Sequence, residues 1–268
     1  MKLPKSTLIA LALATILFIF LLTPRAQQEK SETNITPLFN VGEQMIYEVK
    51  MINASGEYYT CTLNLSVIGT AIINQSKCFI LRAEFSKYSD EFLASINSTH
   101  HYFLMYSYVT MNNITLLKTY AESPFGNVTV IYDNHRRKCF IDEKTPDGEV
   151  NTYELDIKPG IQDPLSTLYY VRSLPLQEEY WCTFNQLTSV GPLLVKASVS
   201  KNLHIIDTDL GPIECYEITL EAGRAKTILY IATSISSRRV LTAVKIPIDS
   251  GVYEYWRLVS YMPPTTTD

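Results

Sequence analysis

The run Cys61-Thr62-Leu63-Asn64-Leu65-Ser66-Val67 decides the fold class of this chain. Positions 61, 63, 65 and 67 are apolar and 62, 64 and 66 polar, a period of two. Successive strand side chains point to opposite faces, so the run predicts a strand with one dry side and one wet side. Asn64 falls on the wet side. Cys78-Phe79-Ile80-Leu81-Arg82-Ala83-Glu84-Phe85 repeats the pattern, with Phe79, Leu81, Ala83 and Phe85 turned inward. Gly69 and Asn74-Gln75-Ser76 lie between the two runs, and such residues favour turns, so the pair reads as a hairpin. Alternating runs recur at 128–132, 195–199, 216–220, 227–232, 240–246 and 252–259. Many short strands separated by turn residues predict an all-β domain: one antiparallel sheet, curved or closed into a half-open barrel. A surplus of tyrosine, 18 against 10 Phe and 2 Trp, fits a pleated, half-buried surface.

One segment breaks the period. In Asp163-Pro164-Leu165-Ser166-Thr167-Leu168-Tyr169-Tyr170-Val171-Arg172-Ser173-Leu174-Pro175, Asp163 suits an N-cap and Pro164 the first helical position. Leu165, Leu168 and Tyr169 recur at helical spacing, and Pro175 ends the run. The expectation is a helix of about ten residues packed across the sheet.

The chain opens MKLPKSTLIALALATILFIFLLTPRAQQEK. Lys2 and Lys5 precede an uncharged run, residues 6–23, long enough as a helix to approach a hydrocarbon thickness of about 30 Å. A signal-peptide core is shorter and ends in small residues. Thr23-Pro24-Arg25-Ala26-Gln27 is a poor cleavage site, so a retained signal-anchor over residues 1–23 is favoured, with a cleaved signal as the alternative. The lysines favour a cytoplasmic N-terminus and an extracytoplasmic bulk. Residues 24–37 then read as a polar tether, 38–262 as one extracytoplasmic β domain, and 263–268 as a tail. Asn-x-Ser/Thr sequons at Asn34, Asn53, Asn64, Asn74, Asn97, Asn113 and Asn127 crowd the first half, as expected of a glycosylated, exported chain.

Charge narrows the partners. Without residues 1–30, which hold Lys2, Lys5, Arg25, Lys30 and Glu29, 19 basic and 26 acidic side chains remain, about −7 net. Nucleic acid and anionic lipid surfaces both require a basic face. The one basic cluster, His135-Arg136-Arg137-Lys138, follows Asp133-Asn134 and reads as a hairpin tip. Cysteines 61, 78, 139, 182 and 215 lack the spacing of a zinc site. One or two disulfides and a fully reduced, buried set both remain open.

Leu38-Phe39-Asn40-Val41-Gly42-Glu43-Gln44-Met45-Ile46-Tyr47 resembles the opening Phe-x-Val-Gly-Glu-x-Leu-x-Tyr of the domain-of-unknown-function family 3108. The stretch from Asp163 to Arg172 is similar to that family's Asp-Pro-Leu-Ser-x-Leu-Tyr-Tyr-x-Arg block. Residues 229–257 match less well: Ser234 and Arg238 are kept, but Ala232, Ser236 and Val240 stand where the family has Trp, Asp and Pro. The resemblance implies an exported all-β domain of the cell envelope with no assigned reaction. Its curved sheet and crossing helix are like those of lipid-carrying half-barrels in outline, and a fold-level likeness does not assign a role.

No catalytic constellation is legible. His100-His101, near Asp90 and Glu91, is the best polar cluster, yet adjacent strand residues face opposite ways. His135 lies in the presumed turn and His204 stands alone. No cofactor or metal is expected. The favoured function is binding of a hydrophobic or lipid-like ligand on the concave surface, with Tyr169, Tyr170 and Arg172 as candidate contacts. A structural ion pair is the competing role for Arg172, and helix capping that for Asp163 and Pro164. The alternative function is a structural or adhesive envelope domain without a cavity, contacting other envelope proteins.

Overall fold

The computed structural model describes residues 35–95, 101–189, 191–235 and 238–264. Its strands are β1 (Gln44–Asn53), β2 (Gly56–Ile73), β3 (Ser76–Ser86), β4 (Phe103–Thr110), β5 (Leu116–Ser123), β6 (Gly126–Asp133) and β7 (Lys138–Lys144). They continue as β8 (Val150–Asp156), β9 (Trp181–Thr188), β10 (Gly191–Thr208), β11 (Gly211–Ala222), β12 (Ala225–Ala232), β13 (Leu241–Asp249) and β14 (Val252–Met262). Two helices, α1 (Asp90–Ser95) and α2 (Pro164–Ser173), interrupt them.

All fourteen strands form a single antiparallel sheet. Strands β1 to β8 run outward as a meander in one direction. Strands β9 to β14 run inward from the opposite edge until β14 pairs with β1. The chain between the two edge strands, β8 and β9, contains α2, which packs against β3, β4 and β9. The sheet rolls around that helix: Leu63 and Phe85 on one side and Leu220 and Leu229 on the other line the same narrow gap beside Leu165.

Local sequence explains the elements. In β2, Leu63, Leu65 and Val67 are buried in the concave core while Asn64 faces the convex side, half-buried between Ile46 and Glu84. The hairpin to β3 turns on two residues, Asn74 and Gln75, both at positive φ (47° and 65°). That is the mirror-image turn whose twist suits strand pairs, and asparagine tolerates it best among non-glycine residues. Gly126 opens β6 at φ 134°, and a Cβ there would lie 2.3 Å from the Lys144 carbonyl oxygen, so only glycine fits.

Helix α2 begins at a capping box. Asp163 Oδ1 accepts from Ser166 N at 2.6 Å, and Ser166 Oγ accepts from Asp163 N at 2.9 Å. Leu165, Tyr169 and Leu174 are almost wholly buried. Each such side chain contributes roughly 1.5–3 kcal/mol by leaving water.

Four expectations are refined. The domain carries a second, six-residue helix, α1, that no periodicity announced. His135, Arg136 and Arg137 of the basic cluster sit in the turn of residues 134–137, and Lys138 opens β7. All five cysteines are buried, and none of them forms a disulfide. Among the sequons, Asn74 is exposed and Asn53, Asn64, Asn113 and Asn127 are half-buried, while Asn34 and Asn97 lie outside the described residues. The hydrophobic run 6–23 lies outside them too. Among the described residues no helix is long and apolar enough to cross a membrane.

Candidate functional site

The two motif-like stretches of the sequence meet at the C-terminal end of α2. Arg172 Nη2 donates to Glu43 Oε1 at 2.7 Å, with both side chains essentially without solvent exposure. Arg172 Nε donates to the Arg239 carbonyl at 2.8 Å, and its guanidinium lies 5.3 Å from the Tyr169 ring centre. Tyr261 Oη adds a 3.3 Å bond to Glu43 Oε1. Phe39 meets the Tyr169 ring edge-on at 4.9 Å, and Leu38 N donates to Ser173 Oγ. A buried charge persists when paired and hydrogen-bonded. This cluster ties the start of the domain to its helix.

Tyr169, Tyr170 and Arg172, the residues the sequence offers as ligand contacts, are therefore interior. Tyr170 packs on Phe184 at 5.1 Å and is 4% exposed. None of the three lines either of the two volumes described next. The physical reason is helical geometry: residues 169, 170 and 172 sit a full turn or more beyond the N-terminus of α2, where the sheet closes tightly around the helix.

The open volume lies at the other end. Beneath the middle of α2 the rolled sheet leaves only about 50 Å³. Between the β8 edge and the start of the β9–β10 hairpin it leaves a cavity of about 500 Å³. Met105, Ala121, Val130 and Leu155 form the wall from β4, β5, β6 and β8, and Leu187 of β9 faces them. Asp163 and Pro164 stand at its inner end. Gln162 ties β9 to the body of the sheet. Gln162 N donates to the Asn185 carbonyl and its own carbonyl accepts from Leu187 N, both at 2.8 Å, while Gln162 Nε2 reaches the Ile114 carbonyl at 3.1 Å.

Asp163 is more than a cap. Its Oδ2 accepts from Ser107 Oγ at 2.6 Å and from Thr119 Oγ1, and Thr119 Oγ1 lies 3.2 Å from Tyr132 Oη. Burial pushes the Asp163 carboxyl up from its ordinary range, and the bonds from Ser107, Thr119 and Ser166 hold it back. Ser107, Thr119 and Tyr132 carry no sequence motif. The available signal is a lone polar residue at inward positions otherwise apolar, as Ser107 is between Met105 and Val109.

The remaining polar groups do not converge. His101 packs among Tyr88, Phe92 and Phe125, at ring distances of 4.8, 6.2 and 5.8 Å, and burial pushes its pKa down. His100 lies outside the described residues. His204 sits 3.5 Å from Glu217 on the surface. Among the described residues no three or more His, Cys, Asp or Glu side chains gather as metal ligands.

No protein-family model matches the chain, and no curated protein matches it. Two solved structures do. A protein of Bacteroides fragilis, described as exported and of YmcC-like fold, is 10% identical with a TM-score of 0.33, over 86% of this chain and 100% of that one. A protein of Parabacteroides distasonis, described as a lipoprotein, is 11% identical with a TM-score of 0.29, over 85% of this chain and 99% of that one. At such scores neither carries weight, and the fold and site rest on the geometry above.

Proposed function

We propose that this chain is a membrane-anchored extracytoplasmic domain that holds a small hydrophobic ligand in the seam cavity. The observation that carries this is the cavity itself. Its volume of about 500 Å³ falls inside the range typical of small-molecule sites, roughly 300–1,000 Å³, and its walls are mainly apolar with a few convergent polar groups. Beneath the middle of α2 the same concave face leaves only about 50 Å³, so the opening is a local feature. The anchor and export rest on residues 1–23 and on the sequons, of which every described asparagine keeps some exposure. The resemblance to family 3108 points the same way. No catalytic role is assigned to any residue.

The test uses the full-length protein in lipid nanodiscs with a neutral naphthylamine fluorophore. Wild-type protein enhances its emission beyond the Ala121→Trp variant, whose indole fills the cavity from β5. Val128→Trp fills it from β6 and guards against a folding defect in the first variant. Equal emission from wild type and both folded variants refutes the ligand reading.

An interaction role finds its support in β8. The strand is almost wholly exposed, and its outer edge pairs with no strand among the described residues, with Val150 60% and Tyr153 46% accessible. Unpaired edges recruit further strands. Glu154 and Asp156 place charge on this edge, as edges protected against strand addition do, so ligand binding is the preferred reading.

A further inference from the structure

Among the described residues, every charged side chain lining the seam cavity is acidic. Glu143 stands at its exposed rim and Asp163 at its buried inner end; no Lys, Arg or His lines it. The hydroxyls beside Asp163 are oriented by it. Thr119 has one proton and gives it to Asp163 Oδ2, so the 3.2 Å contact between Thr119 and Tyr132 is donated by Tyr132. Tyr132 has then spent its proton. No donor among the described residues reaches its Oη, and Tyr132, 3% exposed, lines the cavity. The site thus presents a hydrogen-bond acceptor, backed by a buried carboxyl, to whatever enters. A ligand carboxylate or phosphate there would meet like charge, no cation and no free donor from this chain of hydroxyls, and an unpaired buried charge is costly.

We infer that the cavity selects an apolar molecule with an uncharged or cationic donor at its end, the class of long-chain alcohols and amines. The ligand's terminal hydroxyl or ammonium donates to Tyr132 Oη, and carboxylates and phosphates of the same chain length are rejected. The inference deepens the ligand reading above and rests on it.

Equilibrium dialysis of the full-length protein in nanodiscs of uncharged lipid tests it with octanol, octylamine and octanoate. Binding is counted as the excess over the cavity-filled Ala121→Trp variant. Octanol and octylamine are expected to bind about tenfold or more tightly than octanoate, a difference of about 1.4 kcal/mol or more. Tyr132→Phe is expected to weaken octanol about five- to tenfold, the loss of one hydrogen bond, whereas Tyr108→Phe on the convex face leaves it unchanged. Octanoate binding as tightly as octanol overturns the selectivity and leaves the cavity standing as a ligand site. Unchanged octanol affinity in folded Tyr132→Phe overturns the role of Tyr132. No binding of any of the three above the filled variant overturns both the selectivity and the ligand reading.

Discussion

Glu254 gives the most quantitative prediction. Its alternation in β14 with Trp256 and Leu258 turns it into the core, where it has no solvent exposure. Oε1 accepts from Trp256 Nε1 at 2.6 Å, and Oε2 finds no partner among the described residues. Burial pushes the carboxyl up from 4.5 to about 8, with the Trp256 bond opposing the shift. The sign follows from linkage. Between those two values the unfolded chain releases this proton while the folded chain keeps it. Stability therefore falls as pH rises through this window, by about 1.4 kcal/mol per pH unit and about 5 kcal/mol across it, and Glu254 adds no slope outside it. Glu254→Gln cannot ionise, and its amide oxygen still accepts from Trp256. Urea denaturation of the full-length protein in non-ionic detergent, from pH 5 to pH 9, measures the difference between variant and wild type. That difference is expected to move in the variant's favour by about 1.4 kcal/mol per unit up to about pH 8 and then to level off. A difference independent of pH refutes the claim that a protonated carboxyl is buried here.

Three further outcomes follow from the same packing. Arg172→Leu leaves Glu43 buried without its counter-charge and is expected to cost about 3–5 kcal/mol in urea unfolding, while the double variant with Glu43→Gln costs less than the sum of the two single changes. Asp163→Ala removes a cap worth about 1 kcal/mol and strands the Ser107 and Thr119 hydroxyls, for a total loss of about 2–4 kcal/mol, and Asp163→Asn loses less because it still accepts hydrogen bonds. The five buried cysteines are expected to react slowly with a thiol reagent in native protein and to titrate as five thiols once unfolded without reductant; fewer than five would contradict the absence of disulfides.

Much of the sheet was legible because one of its faces is dry. β2 and β3 announced themselves through strict alternation, and the Asp163–Pro164 pair placed the start of α2. β9 was not legible: it is buried on both faces, so Trp181–Thr188 shows no period of two. β8 failed for the opposite reason, being exposed at every position except Leu155. The six residues of α1 are too few for a helical repeat to register. The three ligand-contact candidates sit at the closed end of their helix. Tyr169, Tyr170 and Arg172 look like ligand contacts because large polar-tipped side chains cluster there, but Arg172 meets Glu43, 129 positions earlier, and that pairing closes the space. The opening at the Asp163 end depends on how far β5–β8 roll past β9, a long-range property that no single stretch encodes.

Organic extraction and mass spectrometry of the full-length protein, purified from the cells that make it, tests the central claim most directly. Wild-type protein is expected to release a stoichiometric apolar alcohol or amine that folded Ala121→Trp protein, purified in parallel, lacks. The same extract from both proteins, with no molecule specific to the open cavity, would contradict the account.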